Sequence, residues 1–178
     1  MDFTKLRNNI IEMLREQQIK LGFMRETVRL YYPLQSLNRF LDCDVTSDEM
    51  MMILDEFAKS VKAEMGTLEV SYTNDRFCIM CGPDVSEYVR DHMDGAEFLR
   101  ELIGLVSKHG TQMTSVISLF KKYSDQVHIE TEVSDEFDYL IYFENGIPDD
   151  FRYCITDEGE HLIYHRFTAD DYHDIYGE

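Results

Sequence analysis

The chain has no tryptophan, only three prolines among 178 residues, and half as many basic as acidic side chains, 17 against 35. Its longest apolar runs, such as Met50 to Leu54 and Tyr139 to Phe143, are five residues. A membrane-spanning helix needs roughly 20, so none is expected. Met1-Asp2-Phe3-Thr4-Lys5 leads into a charged helical pattern instead of the apolar stretch of an export signal, which points to a cytoplasmic protein. Nucleic acid is an unsuitable partner, because replacing phosphate counterions takes the lysine and arginine that this chain lacks. Anionic membrane surfaces are disfavoured for the same reason. Glycine-rich phosphate loops, the nucleophile elbow of hydrolases and the paired-histidine helix of zinc proteases are all absent.

What is present is a globular composition, 44% hydrophobic and 29% charged, in a chain long enough to bury a core without metal or disulfide staples. The charge is unevenly spread. Residues 125–178 carry 16 acids against Arg152 and Arg166, whereas the first 41 residues carry seven bases and four acids. An acidic face of this kind attracts a basic protein, a cation or the chain's own basic head.

Residues 2–20 place Phe3, Leu6, Ile10, Met13 and Leu14 near one stripe and predict an amphipathic helix stopped by Gly22. Thr27 to Tyr32 is β-branched and aromatic, reads as a short extended segment, and Pro33 ends it before a short helix. Thr46 and Glu49 form a capping box for a helix whose inward face carries Ile53, Phe57, Val61 and Met65. Leu68, Val70 and Tyr72 then alternate with polar residues, Asn74-Asp75 turns the chain, and Phe77 to Cys81 returns. Helices are expected over about 85–93, from an Asp94 cap with Glu97 in its first turn to Val106, and over 114–123. From residue 127 the period becomes two, with strands near 127–133, 138–144, 151–156 and 161–167 and a short last helix capped by Thr168 and Asp171. The fold class is therefore α+β. N-terminal and central helices pack with an antiparallel sheet that is mostly a C-terminal meander, which the early hairpin would join. One domain is expected over 1–178: mainly helical over 1–124 with a hairpin near 67–81, then the acidic sheet and final helix over 125–178.

Three constellations carry chemistry. Cys78 and Cys81 have the spacing of a zinc knuckle, but no second such pair exists, and the run Phe77 to Cys81 reads equally as a buried strand of reduced thiols. His161 and His165, four apart on a strand, share a face, and Asp170 and His173 on the last helix would complete a metal site suited to zinc, iron or manganese. Ile163 and Phe167 on the same face argue for packing instead. The only basic cluster, Lys20, Arg25, Arg29 and Arg39 around Tyr31 and Tyr32, offers guanidinium forks and rings to a carboxylate or phosphate, or pairs with the chain's own acids.

Glu16-Gln17-Gln18-Ile19-Lys20-Leu21-Gly22-Phe23, continuing through Thr27 to Leu34 and Ser36-Leu37-Asn38, resembles an uncharacterised family of small proteins from gut-dwelling Clostridia. The resemblance implies a bacterial cytoplasmic setting and transfers no activity, cofactor or catalytic residue. The reading that results is a binding domain with no catalytic step and no resident cofactor. It would engage a protein or small ligand through Arg25, Arg29, Tyr31, Tyr32 and Arg39, or a basic protein through the acidic sheet. The alternatives are a metal-dependent enzyme using His161, His165, Asp170 and His173, and an immunity- or inhibitor-type acidic protein.

Overall fold

The structure, a computed structural model, describes residues 1–177. It packs as two compact units, Met1–Asp94 and the remainder from Gly95. The division falls at Asp94-Gly95 and not at the change of charge near residue 124. The reason is visible in the packing: the helices over 97–123 turn their aromatic faces onto the C-terminal sheet.

The first unit holds α1 (Thr4–Leu21), β1 (Val28–Tyr32), α2 (Leu34–Phe40), α3 (Ser47–Met65), β2 (Leu68–Thr73), β3 (Arg76–Cys81) and α4 (Pro83–Asp91). The capping box at α3 forms as expected: Thr46 Oγ1 accepts from Glu49 N–H, and the Glu49 carboxylate accepts from Thr46 N–H. Its fully buried stripe is Met50, Leu54, Phe57, Val61 and Met65, so the face is rotated from the expected one and Ile53 is only half-buried. The three strands make a sheet of their own, ordered β1-β3-β2 and antiparallel throughout, so the hairpin does not join the C-terminal meander. Leu6, Ile10 and Leu14 of α1, Leu37 of α2, the α3 stripe and Val85 and Val89 of α4 pack on one side of that sheet against Tyr32, Leu68, Phe77, Ile79 and Cys81. All four helices therefore cover the same sheet face.

The second unit holds α5 (Glu97–Val106), α6 (Met113–Tyr123), the meander β4 (Val127–Thr131), β5 (Tyr139–Phe143), β6 (Phe151–Asp157) and β7 (Leu162–Thr168), and α7 (Ala169–Tyr176). Asp94 is not the α5 cap: Gly95 takes a left-handed φ of 81° and the helix starts after Ala96. β4 ends at Thr131 because Glu132 also has a positive φ, 57°, which breaks the pleat. Phe98 sits edge-on to Phe120, Tyr123, Phe143 and Tyr153, with centroids 4.8–5.8 Å apart, and joins α5 and α6 to one sheet face. On the other face Phe137, Leu140 and Cys154 pack with Tyr172 of α7. No helix is long and apolar enough to cross a membrane among the described residues.

Candidate functional site

β1 is short and follows the exposed segment 21–27 that leaves α1. Its period of two settles what faces what. Val28, Leu30 and Tyr32 turn towards the helices, and Arg29 and Tyr31 point to the opposite side. Tyr32 is buried and its hydroxyl donates to Asn9 Oδ1 at 2.8 Å. Tyr31 is 58% exposed, and Arg29 is exposed without a hydrogen bond or ion pair among the described residues.

The ladder register extends these two residues into rows across the sheet face turned away from the four helices. Arg29 stands opposite Met80, which stands opposite Glu69; Tyr31 stands opposite Cys78, which stands opposite Ser71. The polarity of the backbone follows from the hairpin. Asn74 and Asp75 both have positive φ, 52° and 58°, the geometry of a two-residue type I′ loop, so the flanking pair Thr73/Arg76 is hydrogen-bonded. Alternation then directs the N–H and C=O groups of Cys78 and Met80 to β2, and those of Phe77, Ile79 and Cys81 to β1. Their partners Tyr32, Leu30 and Val28 thus bond inward, leaving the N–H and C=O groups of Arg29 and Tyr31 on the free edge. No other described group bonds the backbone of residues 28–31.

At the end of these strands, a groove of about 430 Å³ is lined by Arg25, Thr27, Glu69, Met80, Asp84 and Glu87. Arg25 pairs with Glu87 at 3.1 Å. Asp84 accepts from Thr67 N–H at 2.8 Å and from Val85 N–H at 3.0 Å. Burial raises its pKa, but those backbone donors outweigh the effect and hold the carboxyl below the usual carboxylate range.

The basic cluster read from the sequence therefore divides. Arg29 and Tyr31 share a face, Arg25 lies at the groove, and Tyr32 belongs to the core. Arg39, on α2, donates to Ser36 Oγ at 3.4 Å, and Lys20 pairs with Glu16 at 2.8 Å. Cys78 and Cys81, three apart in an extended strand, point to opposite sheet faces and so do not offer two thiolates to one ion. Burial, with Cys78 nearby, pushes the Cys81 thiol up to about 12. His161 lies edge-on to His109 at 4.7 Å, and His109 Nε2 meets Glu160 at 3.0 Å. His165 stacks beside Phe167, while Asp170 and His173 ride on α7. No three His, Cys, Asp or Glu side chains come together in a metal-binding group among the described residues.

Two arrangements escaped the sequence reading. His128 stacks on Tyr142 at 4.6 Å, and the Arg152 guanidinium lies 3.8 Å from the same ring. Arg7 donates to Glu64 and, at 2.9 Å, to Tyr88 Oη, while Arg15 Nη2 donates to the His92 carbonyl at 2.6 Å. These last bonds bridge a concavity of about 530 Å³ between α1 and α4. The available signal was the spacing: Arg7 and Arg15 lie about two turns apart on α1, and Tyr88 and His92 one turn apart.

Two α+β units, the first built on a three-stranded antiparallel sheet and the second on a four-stranded meander, are the class of architecture these elements define. The chain belongs to the family described as "Domain of unknown function, E. rectale Gene description (DUF3877)", which matches residues 3–176. The likeness read from residues 16–38 thus extends over nearly the whole chain. No curated protein and no solved structure matches it.

Proposed function

We propose that the chain acts by binding a protein, and that its contact surface is the exposed patch around Arg29 and Tyr31 on the side of the first unit's sheet turned away from its helices, with Arg25 at the rim. The observation that carries this reading is an arginine and a tyrosine held side by side and exposed on a strand whose outer edge is unpaired. Tyrosine and arginine suit a contact surface because they supply large amphipathic area and multiple donors at modest ordering cost. A neighbouring strand would find backbone groups and two side chains together there, as strand-addition recognition requires.

A photocrosslinking residue introduced at position 31 tests the reading, with the same residue at Met52, a 74% exposed position on α3, as the control. Discrete adducts at position 31 that weaken with Arg29→Glu are expected. The same adducts at position 52, or none at position 31, would remove the reading.

A further inference from the structure

We propose that the occupant of the β1 edge is the β1 strand of a second copy of this chain, paired antiparallel about a two-fold axis at Leu30; this rests on the binding surface proposed above. The backbone narrows the register and the side chains choose it. Within β1 only Arg29 and Tyr31 present N–H and C=O groups outward, and an antiparallel hydrogen-bonded pair needs both members to do so; setting either residue opposite its own copy makes one such pair within the strand and puts like side chains together. Arg29 opposite the partner's Tyr31, and Tyr31 opposite the partner's Arg29, satisfies this twice and gives four backbone hydrogen bonds. Leu30 then meets its own copy in the non-bonded position between them.

The side chains agree with that register. Residues directly opposite in a sheet point to the same face, so each exposed guanidinium lies beside the other protomer's exposed phenol ring. This is a cation-to-ring complement made twice by symmetry. On the opposite side, Val28, Leu30 and Tyr32 extend the apolar face that each unit already turns to its helices. The result is a six-stranded sheet in which the row Glu69–Met80–Arg29 runs into the partner's Tyr31–Cys78–Ser71.

The other sheet edges lack this complement. β2 carries Glu69 and no exposed cation of its own on the face turned away from the helices, with only Ser71 and Thr73 beside that acid. β4 and β7 belong to the unit with 16 acids against two arginines in residues 125–178, where a second copy would bring like charges together. β1 lacks two of the devices that close an edge to pairing: it carries no proline within the strand and no bulge, and Pro33 lies just past its end.

Analytical ultracentrifugation of the full chain over a wide concentration range is the first arm. The mass should rise from 21.0 kDa towards twice that value, and Arg29→Glu should weaken association about tenfold, since two cation-to-ring contacts are lost per dimer. The second arm is Leu30→Cys combined with Cys43→Ser, under mild oxidation. A non-bonded antiparallel pair brings the two α-carbons within disulfide range, so position 30 should crosslink to its own copy while single cysteines at 28 or 32 should not. Tyr31→Pro, which removes an outward N–H but no bond to β3, should give a folded monomer. A monomer at every concentration overturns the proposal. A dimer that fails to crosslink through position 30 overturns it too. If the chain is monomeric while position 31 still crosslinks another protein, the binding surface stands and only its occupant falls.

Discussion

Arg29 and Tyr31 leave β1 on the same side, two positions apart, while Leu30 between them faces the helices. Exposure of an arginine alone would be ordinary. Here the same two residues also carry the unpaired backbone groups of the edge, so side-chain and main-chain recognition coincide on one short segment.

The thiols give a direct check on the first sheet. Cys43 is half-buried, whereas Cys78, Cys81 and Cys154 are buried, and burial pushes Cys81 and Cys154 up to about 12. An aromatic disulfide reagent at pH 8 should therefore modify Cys43 in the folded protein and the other three only on unfolding. Burial and the neighbouring Asp44 and Asp42 raise Cys43 as well, so its reaction should be slower than that of a free thiol. Rapid modification of Cys78 and Cys81 together would contradict their placement.

Asp84 joins the α3–β2 corner to the start of α4. Asp84→Ala should cost roughly 1 kcal/mol, because the Thr67 and Val85 N–H groups lose their acceptor. The carboxyl titrates below its ordinary 3.8 when folded, so its contribution is present above that value and fades as the pH falls through the lower, folded-state value. Gly66→Ala should also destabilise. Its φ is +111°, and a Cβ there would lie 2.6 Å from Asp84 Cγ. Denaturant midpoints of both variants at pH 7 and pH 3 would show it; an Asp84→Ala loss that is larger at pH 3 has the wrong sign.

Phe98 is the residue on which the second unit's aromatic packing converges. Phe98→Ala should cost about 3–5 kcal/mol, the usual loss for a large side chain in a closely packed core. With no tryptophan present, the near-ultraviolet signal comes from tyrosine and phenylalanine, and Tyr123 and Tyr153 both border Phe98. That signal should fall together with stability. A change below 1 kcal/mol would contradict the packing described.

Much of the fold was legible where chemistry is local. The Thr46/Glu49 box, the Asn74-Asp75 turn and the Thr168 cap each fix a boundary through hydrogen bonds within a few residues, and each formed where the pattern placed it. Legibility failed where the decision was tertiary. Asp94 and Glu97 have the spacing of a cap, yet the left-handed Gly95 turns the chain out of the helix between them. Met50 and Leu54 displaced Ile53 from the buried stripe because the sheet below α3 set its rotation. In the candidate site, period-two alternation already separates Tyr31 from Tyr32. What the sequence could not show was which strand edge lay open, because that depends on β3 taking the centre of the sheet.

Residue-resolved amide exchange over β1 tests the open edge most directly. In dilute protein the amides of Leu30 and Tyr32, bonded to β3, should be protected, while those of Arg29 and Tyr31 exchange at nearly unprotected rates. Raising the protein concentration should then slow Arg29 and Tyr31 alone. Protection of Arg29 and Tyr31 in dilute solution, or fast exchange at Leu30, would contradict the register and the surface built on it.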